Sequence, residues 1–230
     1  MRLGVLLPTF EAGAEKAMLA AHAARAAGLD GVFAYDHLWP MGSPRRPALA
    51  PFPVLAAVAT RYEDLVVGTL VARVGLVSTE HLVTEFATLN ALAPGRVIAA
   101  LGTGDHLSLA ENDAYGVVRL GANERRSLLR DAAVALVGTM PVWLGAGAEA
   151  TNELARDVGA VVNLWNATPE AVAAAAARGP VSWAGPASSD VALTLDALAR
   201  AGSTWAVFTP QTPIEPLGEW RRRNALSTLH

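Results

Sequence analysis

The chain has 230 residues, 52% hydrophobic and 17% charged, with a net charge of −3. That is enough apolar material for a sizeable core, so a disordered chain is excluded, and the lack of a basic stripe argues against a nucleic-acid partner. There is no cysteine, which excludes disulfides and thiolate chemistry.

The opening segment, "MRLGVLLPTF", reads as a strand ("LGVLLP", 3–8) and lacks the long apolar run of a signal peptide. "EKAMLAAHAARAAG" (15–28) has helical spacing and stops at a glycine, a helix-end signal. "GVFAYD" (31–36) is a second strand, "PFPVLAAVATR" (51–61) a helix and "DLVVGTLV" (64–71) a third strand. "TEHLVTEFATLNALAPG" (79–95) is a helix closed by Pro-Gly, and "RVIAALGTG" (96–104) a fourth strand. The helix 122–138 leads to the strand 141–147, the helix 149–159 to the strand 160–165, and the helix 168–179 to the strand 181–185. Thr168 and Pro169 supply an N-cap and a first-turn proline for the helix they open. The helix 189–202, the strand 204–210 and a last helix (215–229) complete the series.

Eight nearly continuous apolar strands, each followed by a helix, predict a parallel sheet covered on both faces. Eight such units in one domain spanning 1–230 match an α/β fold of the (β/α)8 TIM-barrel type, with a doubly wound open sheet as the competing arrangement. No apolar stretch reaches membrane-spanning length without charges or turn residues, so the expectation is a cytoplasmic protein with no membrane partner.

A barrel of this kind places its active site at the C-terminal ends of the strands. There Asp36 and His37 end the second strand, and Asp105 and His106 follow the fourth. An imidazole titrates near neutral pH, so His37 is the natural proton donor or acceptor. The plain structural readings are a turn role for Asp36 and Asp105, since Asp favours turns, and a surface position for His106. Without His-x-His, His-Glu-x-x-His or cysteine, no metal is expected, and no Gly-x-Ser-x-Gly signals a serine nucleophile. "LGAGAEA" (144–150) follows a strand and opens a helix, an array whose backbone N–H groups suit a phosphate. A dinucleotide reading would want an acid after the next strand, where Asn163 and Asn166 stand instead. Glu149, in the first turn of that helix, would compete with a phosphate.

In order along the chain, "GLDGVFAYDHLWP", "VVGTLV", "HLVTEFATLNALAPGRVIAALGTGD", "ENDAYG", "NERRSLLRDAAVAL" and "PVWLGAG" resemble the luciferase-like monooxygenases, above all their coenzyme F420-dependent branch. The resemblance covers nearly the whole chain. It implies a (β/α)8 barrel that binds a flavin or deazaflavin at the strand C-termini, and a hydride exchanged between F420 and a small organic substrate. His37 would assist the proton transfer, with Asp36 orienting it. Asp105 would be a second proton donor, and Trp39 and Phe10 would face the substrate. Thr69, Leu70 and Val71, with a cis peptide at Leu70–Val71, would brace the ring. Gly102, Thr103 and Gly104 would lie beside it, and Gly145, Ala146, Gly147 and Ala148 would hold the cofactor phosphate. Relatives often pair as homodimers. "LVGTMPVWLG" crosses directly from helix to strand where the family has a long excursion, so this is a shortened member. The competing readings are an FMN-dependent monooxygenase supplied with reduced flavin, and a cofactor-free barrel acting as a binding or scaffold protein.

Overall fold

A computed structural model describes residues 1–40, 42–104, 106–146 and 148–226. Its strands are β1 (Arg2–Leu6), β2 (Gly31–Ala34), β3 (Val66–Thr69), β4 (Ala72–Arg73), β5 (Val97–Gly102), β6 (Val142–Ala146), β7 (Val161–Trp165), β8 (Val181–Gly185) and β9 (Trp205–Phe208). All pair in parallel, in the order β3-β2-β1-β9-β8-β7-β6-β5-β4. Val67 and Gly68 of β3 also pair with Val97 and Ile98 of β5, which closes the ring. β3 and β4 are two pieces of one stave, both laid against β5. The result is an eight-stave parallel barrel, and the open-sheet alternative is overturned by the β3–β5 pairing.

Two apolar layers hold it. Inside the barrel, Leu6, Phe33, Ile98, Trp143, Trp205 and Val207 are buried together. Phe33 stacks on Trp143 at 5.3 Å between ring centroids and meets the edge of Trp205 at 5.7 Å. The staves make room for these rings with glycine. A Cβ on Gly4 would stand 2.8 Å from the Phe33 ring, and one on Gly68 would stand 2.7 Å from the Ile98 carbonyl and 2.9 Å from the same ring. Outside the barrel, the apolar stripes of the helices bury Leu55, Phe86, Leu129, Leu136, Leu195 and Leu217 against the staves.

The helices are α1 (Glu15–Ala26), α2 (Pro51–Arg61), α3 (Thr79–Leu92), α4 (Leu109–Ala114), α5 (Ala122–Leu136), α6 (Glu149–Asp157), α7 (Pro169–Ala176), α8 (Val191–Arg200) and α9 (Ile214–Leu226). The Thr168 hydroxyl accepts from Ala171 N–H as its sequence position foretold, and Ser78 and Asp190 cap α3 and α8 in the same way. Among the described residues no helix is long and apolar enough to cross a membrane.

Three expectations change. β2 ends at Ala34, so Tyr35, Asp36 and His37 lie beyond the ladder on the barrel rim. The third stave is interrupted after Thr69 and resumes at Ala72, rather than running unbroken to Val71. Between β5 and α5 the chain forms a short 3₁₀ turn (His106–Ser108) and then α4, where no element was expected.

Candidate functional site

The C-terminal strand ends surround a cavity of about 480 Å³, in the size range of small-molecule sites. Its wall includes Tyr35, Asp36 and His37 after β2, Leu70 and Val71 between β3 and β4, and Arg73. Gly102, Thr103 and Gly104 continue it at the end of β5, and Gly145, Ala148 and Thr151 where β6 passes into α6. Asn163 and Trp165 come from β7. The Leu70–Val71 peptide is cis, where the resemblance placed it. Val71 leans across the neighbouring stave ends. A Cβ on Gly102 would stand 2.5 Å from Val71 Cγ2, and one on Gly145 would stand 3.0 Å from Val71 Cγ1. Both glycines thus let Val71 settle into the cavity floor. Gly102→Ala is expected to push Val71 into the cavity and weaken any ligand held there by about tenfold or more, since overpacking at such a contact costs about 1–3 kcal/mol. Calorimetric titration of the variant checks it.

The chemistry on the β2 side is organised by a residue that the sequence reading did not single out. Glu111, on α4, is 1% exposed. Its Oε1 accepts from His37 Nδ1 at 2.8 Å and from Arg73 Nη1 at 2.6 Å. Its Oε2 accepts from the Leu38 N–H at 2.8 Å and the Trp39 N–H at 3.3 Å. All four acceptor directions of the carboxylate are in use, which is what permits a buried charge here. An ionised carboxylate only accepts, so the proton shared with His37 sits on Nδ1 and Nε2 is the nitrogen left for other partners.

Asp36 was expected to orient His37, and it is bonded to Arg73 instead. Its Oδ2 accepts from the Arg73 N–H at 2.8 Å, while Arg73 Nε donates to the Asp36 carbonyl at 2.9 Å. The pair staples the rim after β2 to β4, because the chain turns away from β2 at Ala34 and carries the Asp36 side chain toward the neighbouring stave. Burial is the main influence on the Asp36 carboxyl and raises it from 3.8 to about 6. The Arg73 hydrogen bond and charge oppose the rise, and the Glu111 charge adds to it. Between these two values the folded protein keeps a proton that the unfolded chain has lost. The stability held by the protonated form is therefore full below about pH 4 and is lost as pH rises through 6, by an amount on the order of 2–3 kcal/mol. Urea unfolding of wild type and Asp36→Asn at pH 4.5 and 7 is expected to show that loss in the wild type only.

An aromatic shelf flanks His37. Phe10 stacks on Tyr35 at 5.4 Å with the planes 2° apart, and Tyr35 meets the edge of Trp165 at 6.4 Å. Both rings stand within 6.2 Å of the His37 ring. Burial pushes the Tyr35 hydroxyl up to about 12, so it stays a neutral donor.

The remaining expected site residues divide. Leu70, Val71, Gly102, Thr103, Gly104, Gly145 and Ala148 reach the cavity wall. Thr69 does not: it is fully buried and its hydroxyl donates to the Ala100 carbonyl at 2.8 Å, tying β3 to β5. Trp39 is not on the wall either. It is 6% exposed and packs on Tyr115 at 5.9 Å, because Glu111 draws its backbone N–H inward. Phe10 stands behind Tyr35. Ala146 is the last residue of β6. Asp105 and Gly147 lie outside the described residues, as does the side chain of His106. Glu149, at the start of α6, is turned onto Arg156 (3.3 Å) and Arg178, and the hydrogen bonds from Asn152, Arg178 and Arg156 hold its carboxyl below the usual range. Among the described residues no side chain caps α6, and its Thr151 and Asn152 N–H groups donate to the Ala148 carbonyl at 2.9 and 3.2 Å. Asn163 and Thr151, buried to 3% and 7% exposure, are wall residues not assigned to the site from the sequence, and Trp165 joins them from the end of β7.

A family model described as luciferase-like monooxygenase matches residues 1–140. An F420-dependent glucose-6-phosphate dehydrogenase of Beutenbergia cavernae is 36% identical over 123 residues, 53% of this chain and 35% of that protein. An F420-dependent hydroxymycolic acid dehydrogenase of Mycobacterium tuberculosis is 30% identical over 145 residues, 62% of this chain and 38% of that protein. The matches thus span roughly a third of the curated relatives' length. In fold, an F420-dependent secondary alcohol dehydrogenase in complex with an F420-acetone adduct aligns with a TM-score of 0.79 at 12% identity, over 95% of this chain and 97% of the other.

Proposed function

Because the chain belongs to the luciferase-like monooxygenase family, we propose that it is an F420-dependent oxidoreductase acting on a small organic substrate. The observation that carries this is one cavity with two unlike sides. An apolar floor and an uncapped helix start face a histidine whose Nδ1 is already committed to a buried carboxylate.

The residues present fit such a cofactor. Leu70 and Val71 offer an apolar surface for a flat ring, and the Gly145 strand end with the N-terminus of α6, which has no side-chain cap at Ala148, offers the helix dipole to a phosphate. Arg156 and Arg178 pair with the Glu149 carboxylate and offset its charge at the start of α6. When bound, the deazaflavin supplies two-electron hydride chemistry.

The protein's own part is placement and proton traffic. As an alcohol is oxidised, its hydroxyl proton must leave, and His37 Nε2 is the free base at the rim to take it. In the reverse direction the same atom returns the proton. Glu111 holds the ring in that tautomer and orientation. Arg73 pairs with Glu111 and ties it to the β4 end. Tyr35, Phe10 and Trp165 shield the rim from water on one side.

Calorimetric titration with F420 and with FMN tests the reading. Micromolar binding of F420 with weaker FMN is the expected result. Tight FMN with no F420 would replace it with the flavin monooxygenase, and binding of neither would leave a scaffold.

A further inference from the structure

An aromatic contact divides the mouth of the barrel. In the closed ring of staves β2 and β7 stand opposite each other. The staves β1, β9 and β8 lie between them on one side, and β3 with β4, β5 and β6 on the other. Inward and outward positions alternate along a strand, so Tyr35 follows Phe33 onto the inner face, where it packs on the cluster to which Phe33 belongs. On β7 the same alternation sets Trp165 beyond Asn163, and both reach the cavity wall. Tyr35 meets the edge of Trp165 at 6.4 Å between centroids, so the two rings span the mouth from opposite staves. Phe10, at the end of β1, stacks on Tyr35 at 5.4 Å and backs its ring.

The cavity lies on one side of this contact. Between Tyr35 and Trp165 its wall runs through the ends of β3, β4, β5 and β6 and the start of α6, and the ends of β1, β8 and β9 take no part among the described residues. On their side Thr9 and Thr209 are buried, at 1% and 8% exposure. The result is a limit on size. About 480 Å³ suits a single small-molecule ligand, and here it has to take a flat ring on Leu70 and Val71 together with a substrate beside His37. The Tyr35 and His37 rings are 6.2 Å apart, so a substrate within reach of Nε2 lies against the aromatic contact.

We propose that Tyr35 and Trp165 determine the specificity of the site, and that their contact restricts the substrate to a small alcohol or ketone whose short carbon skeleton packs on the two rings. The alcohol–ketone chemistry rests on the oxidoreductase reading above, whereas the size limit rests on the ring geometry alone.

Butanone and its phenyl-substituted analogue benzylacetone are the probes. They share the methyl ketone and differ in bulk. Calorimetric titrations are made on wild type, Tyr35→Ala, Trp165→Ala and Tyr35→Phe, each with F420 and without it. Trp165 is 48% exposed, so its truncation removes one half of the contact with little loss of core. Both alanine variants are expected to raise the affinity for benzylacetone relative to butanone by about tenfold or more, the scale on which an apolar pocket discriminates size. Tyr35→Phe keeps the ring and should restore the wild-type ratio. The same ratio in wild type and both alanine variants, or no binding of either ketone to any of the proteins, would overturn the inference. Failure to bind F420 would remove the cofactor reading instead, and the ratio measured without cofactor would still decide whether the rings set the size.

Discussion

Replacing His37 by Ala is expected to lower turnover by about 10²–10⁴-fold, the usual contribution of a positioned general acid or base, while leaving cofactor affinity within a few-fold of wild type. The ring stands at the cavity rim with Nδ1 bonded to Glu111 at 2.8 Å, so its removal takes away the proton acceptor and little of the apolar floor. The loss should fall on turnover rather than on the Michaelis constant. It should also remove the limb of the pH–rate profile that reports the free base. His37→Gln keeps hydrogen bonding without a titrating nitrogen and should behave like the alanine variant. Turnover close to wild type in either variant would leave His37 as a rim residue and transfer the proton role elsewhere.

Glu111→Ala is expected to cost about 3–5 kcal/mol of stability, the usual penalty for stranding one member of a buried ion pair. For a chain of this size that corresponds to a fall in melting temperature of about 10 °C or more. The cause is specific. Arg73, 4% exposed, would lose the carboxylate contact of its Nη1, and the Leu38 and Trp39 N–H groups would lose their acceptor. A double-mutant cycle isolates the ion pair from the rest. Arg73→Met and Glu111→Met should each destabilise strongly, and the double variant should cost clearly less than their sum, because no unpaired charge remains. Additive losses would show that the pair is not coupled. A Glu111→Ala loss below 1 kcal/mol would show that the carboxylate is not the organising group of the rim.

The same carboxylate marks where the sequence was hard to read. "ENDAYG" is a polar run, and a polar run carries no sign of burial. Glu111 becomes the best-satisfied acid of the site only because α4 folds back over the rim and brings it to His37, 74 positions away. Asp36 was visible as an acid beside a histidine, but adjacent residues past the end of a strand do not face one another, and its partner proved to be Arg73. Trp39 was placed near the substrate by proximity to His37, whereas the pull of Glu111 on its backbone turns it into the core. Thr69 has the composition of a site residue and the location of a wall residue, since its hydroxyl finds the Ala100 carbonyl across the stave.

By itself the sequence determined the alternation of strands and helices, the cap at Thr168 and the strand-end positions of Gly102 and Gly145. These follow from local periodicity, turn chemistry and the short reach of backbone hydrogen bonds, all written in consecutive residues. Closure of the barrel belongs to the tertiary structure. It depends on β3 meeting β5 and on glycines yielding space to Phe33, contacts between residues far apart in the chain. So do the Arg73–Glu111–His37 network and the pairing of Glu149 with Arg156 and Arg178. A charged side chain's partner is set by burial and by which strand ends share a rim, and neither is encoded in its immediate neighbours.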